Sequence, residues 1–132
     1  CKLGDKNCTS AGTSPTTASP EYYRQTGIFH RIDHRKDVYS LGIIAYMLAV
    51  GRHPHGVTYE AICIAHKDDK WDIPRPASVW SLMSPEYRDF VDKCLAFKLE
   101  DRPQMAKLKE HAWFKGIDWS TINTQPAPIA IY

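Results

Sequence analysis

Residues 37 to 50 constrain this chain more than any other stretch. Val38, Leu41, Ile44, Ala45 and Leu48 recur at helical spacing, and Ile43, Tyr46, Met47 and Ala49 fill the intervening positions, so the run is apolar on every side. A half-exposed strand would alternate, and a surface helix would keep a polar stripe. The pattern therefore predicts a helix buried all round, with the other elements packed about it. Asp37 offers an N-cap oxygen at its start, and Gly51 sits where a left-handed residue would stop it.

The rest of the chain supplies helices for that packing. Ser84 followed by Pro85 predicts a helix start, because serine can cap the first amides and proline fits the first helical position. Tyr87, Phe90, Val91, Cys94 and Leu95 then line one face. A shorter helix is expected over residues 58 to 66, with Tyr59, Ile62, Cys63 and Ala65 on its apolar side. Another is expected after Pro103, running to about His111 and presenting Met105, Leu108 and Ala112, with a weak cap. Residues 6 to 19 are small, polar or turn-forming and read as loop. Residues 67 to 83, broken by Pro74 and Pro76, read as irregular, and everything beyond Phe114 reads as an extended tail. No internal repeat is visible. The expected fold class is mainly α.

Composition excludes several function classes. A chain of 132 residues with 43% hydrophobic residues can form one globular core. Its formal charge of +2 is too small for a broad polyanion-binding surface, so no nucleic-acid partner is expected. Cys1, Cys8, Cys63 and Cys94 form no C-x-x-C pair, and the histidines show no zinc-ligand spacing. Free thiols in a reducing compartment are the expectation. His53 and His55 flank Pro54 just after the helix-ending glycine, which reads as a surface turn and not a metal site. No stretch reaches the roughly 20 apolar residues of a membrane span, and no signal region opens the chain. A soluble, cytoplasmic protein is expected.

The order of the motifs carries a resemblance. Lys2-Leu3-Gly4-Asp5 resembles the strand ending at the aspartate of the kinase D-F-G motif. Gly12-Thr13-Ser14-Pro15 and Ser19-Pro20-Glu21 resemble the G-T-P and A-P-E runs that close the activation segment. Asp37-Val38-Tyr39-Ser40-Leu41-Gly42 is similar to the D-V-W-S-L-G that opens the central helix, and Gly51-Arg52-His53-Pro54 to the G-x-x-P after it. Asp101-Arg102-Pro103 and His111-Ala112-Trp113-Phe114 resemble the arginine before the last helix and the H-P-W-F ending. On these residues the chain resembles the C-terminal part of a eukaryotic protein kinase domain, of the serine/threonine type. Lys115-Gly116-Ile117-Asp118-Trp119, with Pro126 and Pro128, is similar to the start of the tail in AGC-group kinases, the phosphoinositide-dependent kinases among them.

The resemblance implies a kinase-like fold made of a partial C-lobe: the activation segment and the helices after it, without an N-lobe. It implies a partial kinase domain over residues 1 to 114, an activation segment near 5 to 21, and a C-terminal tail over 115 to 132. Asp5 would be the magnesium ligand, since a hard cation on phosphate oxygens calls for a carboxylate. Thr13 and Ser14 would contact the protein substrate. Glu21 and Arg102 would form a structural ion pair, and Asp37 would receive hydrogen bonds from the catalytic-loop backbone. Ser10, Thr13, Ser14, Thr16 and Thr17 lie in the segment where a phosphate could order the loop.

Two departures shape the functional expectation. Lys6 and Asn7 stand where the family has phenylalanine and glycine, which removes a packing anchor and a permissive turn residue. The glycine-rich loop, the ATP-binding lysine, its glutamate and the H-R-D loop have no counterpart in residues 1 to 132, so no catalytic residue is assigned. ATP and Mg are expected cofactors of a complete kinase, not tight ligands of this stretch. The expected partners are a protein substrate and the remainder of the kinase domain. Two functions stay open: part of a serine/threonine kinase that transfers the ATP γ-phosphoryl group, or a pseudokinase-like interaction module without catalysis.

Overall fold

The computed structural model describes residues 15–24, 33–67 and 72–126. These residues are mainly helical, with no strand among them. The helices are α1 (Pro20–Arg24), α2 (Arg35–Val50), α3 (Tyr59–Lys67), α4 (Ala77–Trp80), α5 (Pro85–Cys94) and α6 (Met105–Lys109).

The central helix, α2, begins two residues before Asp37. Asp33 organises its start: the carboxylate accepts the Arg35 backbone N–H at 2.9 Å and the Arg35 guanidinium at 3.0 and 2.7 Å. Asp37 is therefore not the cap. It is an exposed acid in the first turn, where it complements the positive end of the helix dipole. At the other end Gly51 adopts φ 76°, and its N–H reaches the Met47 carbonyl at 2.8 Å, closing the helix as glycine at that position should.

The core forms where α2 meets α5. Val38, Tyr39, Ile43 and Tyr46 of α2 pack with Phe90, Val91, Cys94 and Leu95, and Leu108 of α6 joins them. Gly42 makes the approach close: a Cβ there would lie 2.7 Å from Cys94 Cβ and 2.8 Å from Leu95 Cδ2. The Tyr87 hydroxyl donates to the Ala45 carbonyl at 2.5 Å, fixing the register of the two helices. As the sequence predicts, Ser84 Oγ accepts the Tyr87 N–H at 3.1 Å and Pro85 opens α5. Burial pushes the Cys94 thiol up to about 12, so it behaves as a small apolar core group.

Four further expectations need correction. The all-round burial of α2 fails on one side, where Ile44 is 48%, Met47 40% and Leu48 84% exposed while Ile43 is fully enclosed. Two of these residues, Ile44 and Leu48, line with Leu41, Met83, Trp113 and Phe114 an apolar groove of about 570 Å³ that no described element fills. Residues 67 to 83 are not wholly irregular: α4 starts directly after Pro76, and its buried Trp80 sits 5.9 Å from the Tyr46 ring and 6.2 Å from that of Tyr87. Proline before a helix start is compatible with the helix it appears to break. The last helix, α6, ends at Lys109 with Leu108 buried and Met105 half-exposed. Ala112 belongs to a separate 3₁₀ turn capped by His111, whose Nδ1 accepts the Trp113 N–H at 3.2 Å. The tail is not extended as far as it is described: Trp119 stacks edge-on against Phe114 at 5.1 Å and donates its indole N–H to the Lys109 carbonyl at 3.0 Å.

No helix among the described residues is long and apolar enough to cross a membrane.

Candidate functional site

The stretch from Pro15 to Arg24 turns once as a 3₁₀ helix at Pro15–Thr17 and continues into α1. Ala18, Ser19 and Pro20 are buried, so the segment is seated in the molecule and not laid on its surface. Arg102, Ser40 and His53 are among the side chains that hold it from elsewhere.

The strongest hold is Arg102, whose side chain is fully buried. Its Nη1 and Nη2 donate to the two carboxylate oxygens of Glu21 at 2.8 and 2.5 Å, the fork-to-fork geometry that a planar guanidinium makes with a carboxylate. Its remaining hydrogens go to backbone carbonyls: Nε to Ala96 at 2.8 Å, Nη1 to Arg35 at 3.1 Å and Nη2 to Phe97 at 3.2 Å. A guanidinium has five N–H groups, and all five are used. The Tyr39 ring lies beneath, 5.2 Å from the guanidinium carbon. Burial pushes the Glu21 carboxyl upward, but the hydrogen bonds and charge of Arg102 outweigh it and hold the group below the usual carboxylate range. With no donor left for a ligand, Arg102 acts mechanically, tying α1 to the start of α2 and to the loop before α6.

The other two holds were not legible in the sequence. Ser40 Oγ donates to the Thr17 carbonyl at 2.9 Å, and His53 Nε2 lies 2.7 Å from the Thr16 carbonyl. His53 is thus no surface-turn residue. It is only 9% exposed, and burial pulls its ring below the ordinary histidine value, against a smaller opposing effect of the Thr16 bond. Its backbone does turn, but the ring points inward to a carbonyl 37 residues earlier. Sequence gives no signal for such a contact, because the acceptor is a main-chain atom.

Asp5, Thr13 and Ser14 lie outside the described residues, and Asp37 is exposed on the first turn of α2. Among the described residues no three or more histidine, cysteine or acidic side chains come together as a metal site.

Known proteins share the family and the fold of this chain. The family model described as "Protein kinase domain" matches residues 2–114. The fission yeast serine/threonine-protein kinase ppk11 is 32% identical over 115 residues, which are 86% of this chain and 34% of that protein. Calcium-dependent protein kinase 5 of Plasmodium falciparum is 26% identical over 114 residues, 86% of this chain and 19% of its own length. The chain thus spans about a fifth to a third of these relatives. Among solved structures, the twitchin kinase region of C. elegans superposes with a TM-score of 0.65 at 23% identity, covering 78% of this chain and 17% of that one. The autoinhibited serine kinase domain of titin gives 0.64 at 23% identity, covering 78% and 30%. The two structures share the fold, and the match over residues 2–114 decides the family: this chain belongs to the protein kinase domain family.

Proposed function

We propose that this chain is the C-terminal part of a serine/threonine kinase catalytic domain, in which it anchors the activation segment and forms the platform for the protein substrate. The observation that carries this reading is the clasp of Arg102 on Glu21. A phosphoryl-transfer enzyme works mainly by positioning, and a segment that receives a protein substrate must be held at fixed height above the helices below it. Kinases of this family use ATP and magnesium. Within this chain Asp5 is the residue suited to magnesium, with Thr13 and Ser14 suited to the substrate. The glycine-rich loop, lysine and H-R-D aspartate would come from the remainder of the domain. The apolar groove along α2 supports that partner, because Ile44 and Leu48 gain only if another apolar element covers them. We assign residues 1 to 114 to the partial kinase domain and the following residues to an AGC-like tail, whose Trp119 folds back on Phe114.

Lys6 and Asn7, in place of phenylalanine and glycine, favour a second reading: an interaction module that kept the helical platform without the chemistry. One assay separates the two. A longer protein that includes the sequence upstream of Cys1 is tested for transfer of γ-phosphate to casein, beside its Asp5→Asn variant and beside residues 1 to 132 alone. The kinase reading expects activity only in the longer protein, abolished by Asp5→Asn. A folded but silent longer protein would favour the interaction module.

A further inference from the structure

We infer that His53 is a positioning residue for the substrate-facing segment, a neutral, tautomer-locked strut between the end of α2 and the turn at residues 15 to 17. The inference rests on the kinase reading for its consequence, but not for its geometry.

Both ring nitrogens of His53 are engaged by main-chain groups of opposite kind. Nε2 is 2.7 Å from the Thr16 carbonyl, which can only accept, so Nε2 carries the hydrogen. Nδ1 is 3.1 Å from the backbone nitrogen of His55, which can only donate, so Nδ1 is bare. The single form that satisfies both is the neutral Nε2–H tautomer. A protonated ring would turn the Nδ1 position from acceptor to donor and set it against the His55 N–H.

The strut has a counterpart. Thr16 and Thr17 are consecutive, and their carbonyls are held from the two ends of the same helix: Thr17 by Ser40 near the start of α2, Thr16 by His53 two residues past Gly51. Arg102 then fixes Glu21 four residues further on. The segment from 16 to 21 is thus held at three positions by these side chains. Arg102 and Ser40 bind it to the helical core, and His53 binds it to the loop that follows α2. That loop forms one wall of a second cavity of about 330 Å³, shared with Tyr46 and Pro74, so His53 couples the segment to a neighbouring recess. Losing the strut removes the His53 bond to the Thr16 carbonyl and leaves the Ser40 and Arg102 bonds in place. The expected consequence is a less well-placed platform, felt in affinity for the protein substrate and not in ATP binding or the chemical step.

Three substitutions isolate the contact. His53→Gln can still present an amide donor near the Nε2 position, His53→Asn keeps only a group near Nδ1, and His53→Phe keeps the ring without either. In the longer, active protein, His53→Phe and His53→Asn should raise KM for the protein substrate about tenfold, the scale of one lost hydrogen bond, with kcat and KM for ATP within about twofold. His53→Gln should recover most of the loss. Equal falls in kcat across all three, or an unchanged protein KM in His53→Phe, would overturn the positioning role. The geometry is read separately on residues 1 to 132 by ¹⁵N-resolved NMR of the imidazole. A slowly exchanging Nε2–H, coupled across the bond to the Thr16 carbonyl, is expected, whereas a tautomer mixture or rapid exchange would overturn the strut. If the longer protein is silent while the strut is present, the kinase reading fails and the substrate role fails with it.

Discussion

Arg102 is the residue on which the described segment depends most. Its five hydrogen bonds reach both Glu21 carboxylate oxygens, the Arg35 carbonyl and the adjacent carbonyls of Ala96 and Phe97, so no other side chain has the right donors in the right plane. Arg102→Ala should leave the Glu21 carboxylate, 19% exposed, without its partner and destabilise the fold by about 3 kcal/mol, measured by chemical denaturation. Arg102→Lys should recover little of this, because an ammonium group cannot reach the three carbonyls and the carboxylate fork together. Asp33 gives a pH signature. The hydrogen bond from Arg35 is the main influence on its carboxyl, which stands at about 2, below the 3.8 of an unperturbed aspartate. The unfolded chain therefore binds the proton first, so this contribution to stability is present above pH about 3.8 and fades as the pH falls towards 2. Asp33→Asn should flatten that part of the stability curve, which thermal melts across the range would show.

Between elements, the approach of α2 to α5 decides how the core closes. Gly42 lies at the crossing, and a methyl group there would meet Cys94 Cβ and the Leu95 side chain at distances no real contact adopts. Gly42→Ala should cost about 1–3 kcal/mol despite alanine's better helix propensity, because two packed helices must part to admit it. Denaturant midpoints compared with an alanine substitution at an exposed position of α2 would check the sign. The same element carries the plainest difference between pattern and packing. Apolar residues surround α2, yet only the side facing α4, α5 and the 15–17 turn is covered by described residues. Periodicity counts apolar positions around a helix, but it says nothing about which neighbour supplies the cover.

At the scale of the whole molecule, the uncovered side of α2 yields a prediction that depends on context. Leu48→Lys should change the stability of residues 1 to 132 by no more than about 0.5 kcal/mol, since the side chain is 84% exposed there. In a longer protein whose preceding segment covers the groove, the same change should bury a charge and lower the melting temperature markedly. Equal, small effects in both would argue that the groove stays open. The sequence by itself determined the mainly helical class, the start of α5 at Ser84 and Pro85, the stop of α2 at Gly51, and the ordered motifs that point to a kinase domain. Those features are local: caps, spacing and breakers act within a few residues, so they can be read along the chain. Tertiary structure alone decided that Asp33 and not Asp37 opens α2, that Trp80 closes the core from a stretch whose sequence reads as irregular, and that His53 and Ser40 hold successive carbonyls. Each of these depends on a backbone group or a ring brought close by folding. Main-chain donors and acceptors are the same at every position, so only the folded path of the chain selects which of them a side chain will find.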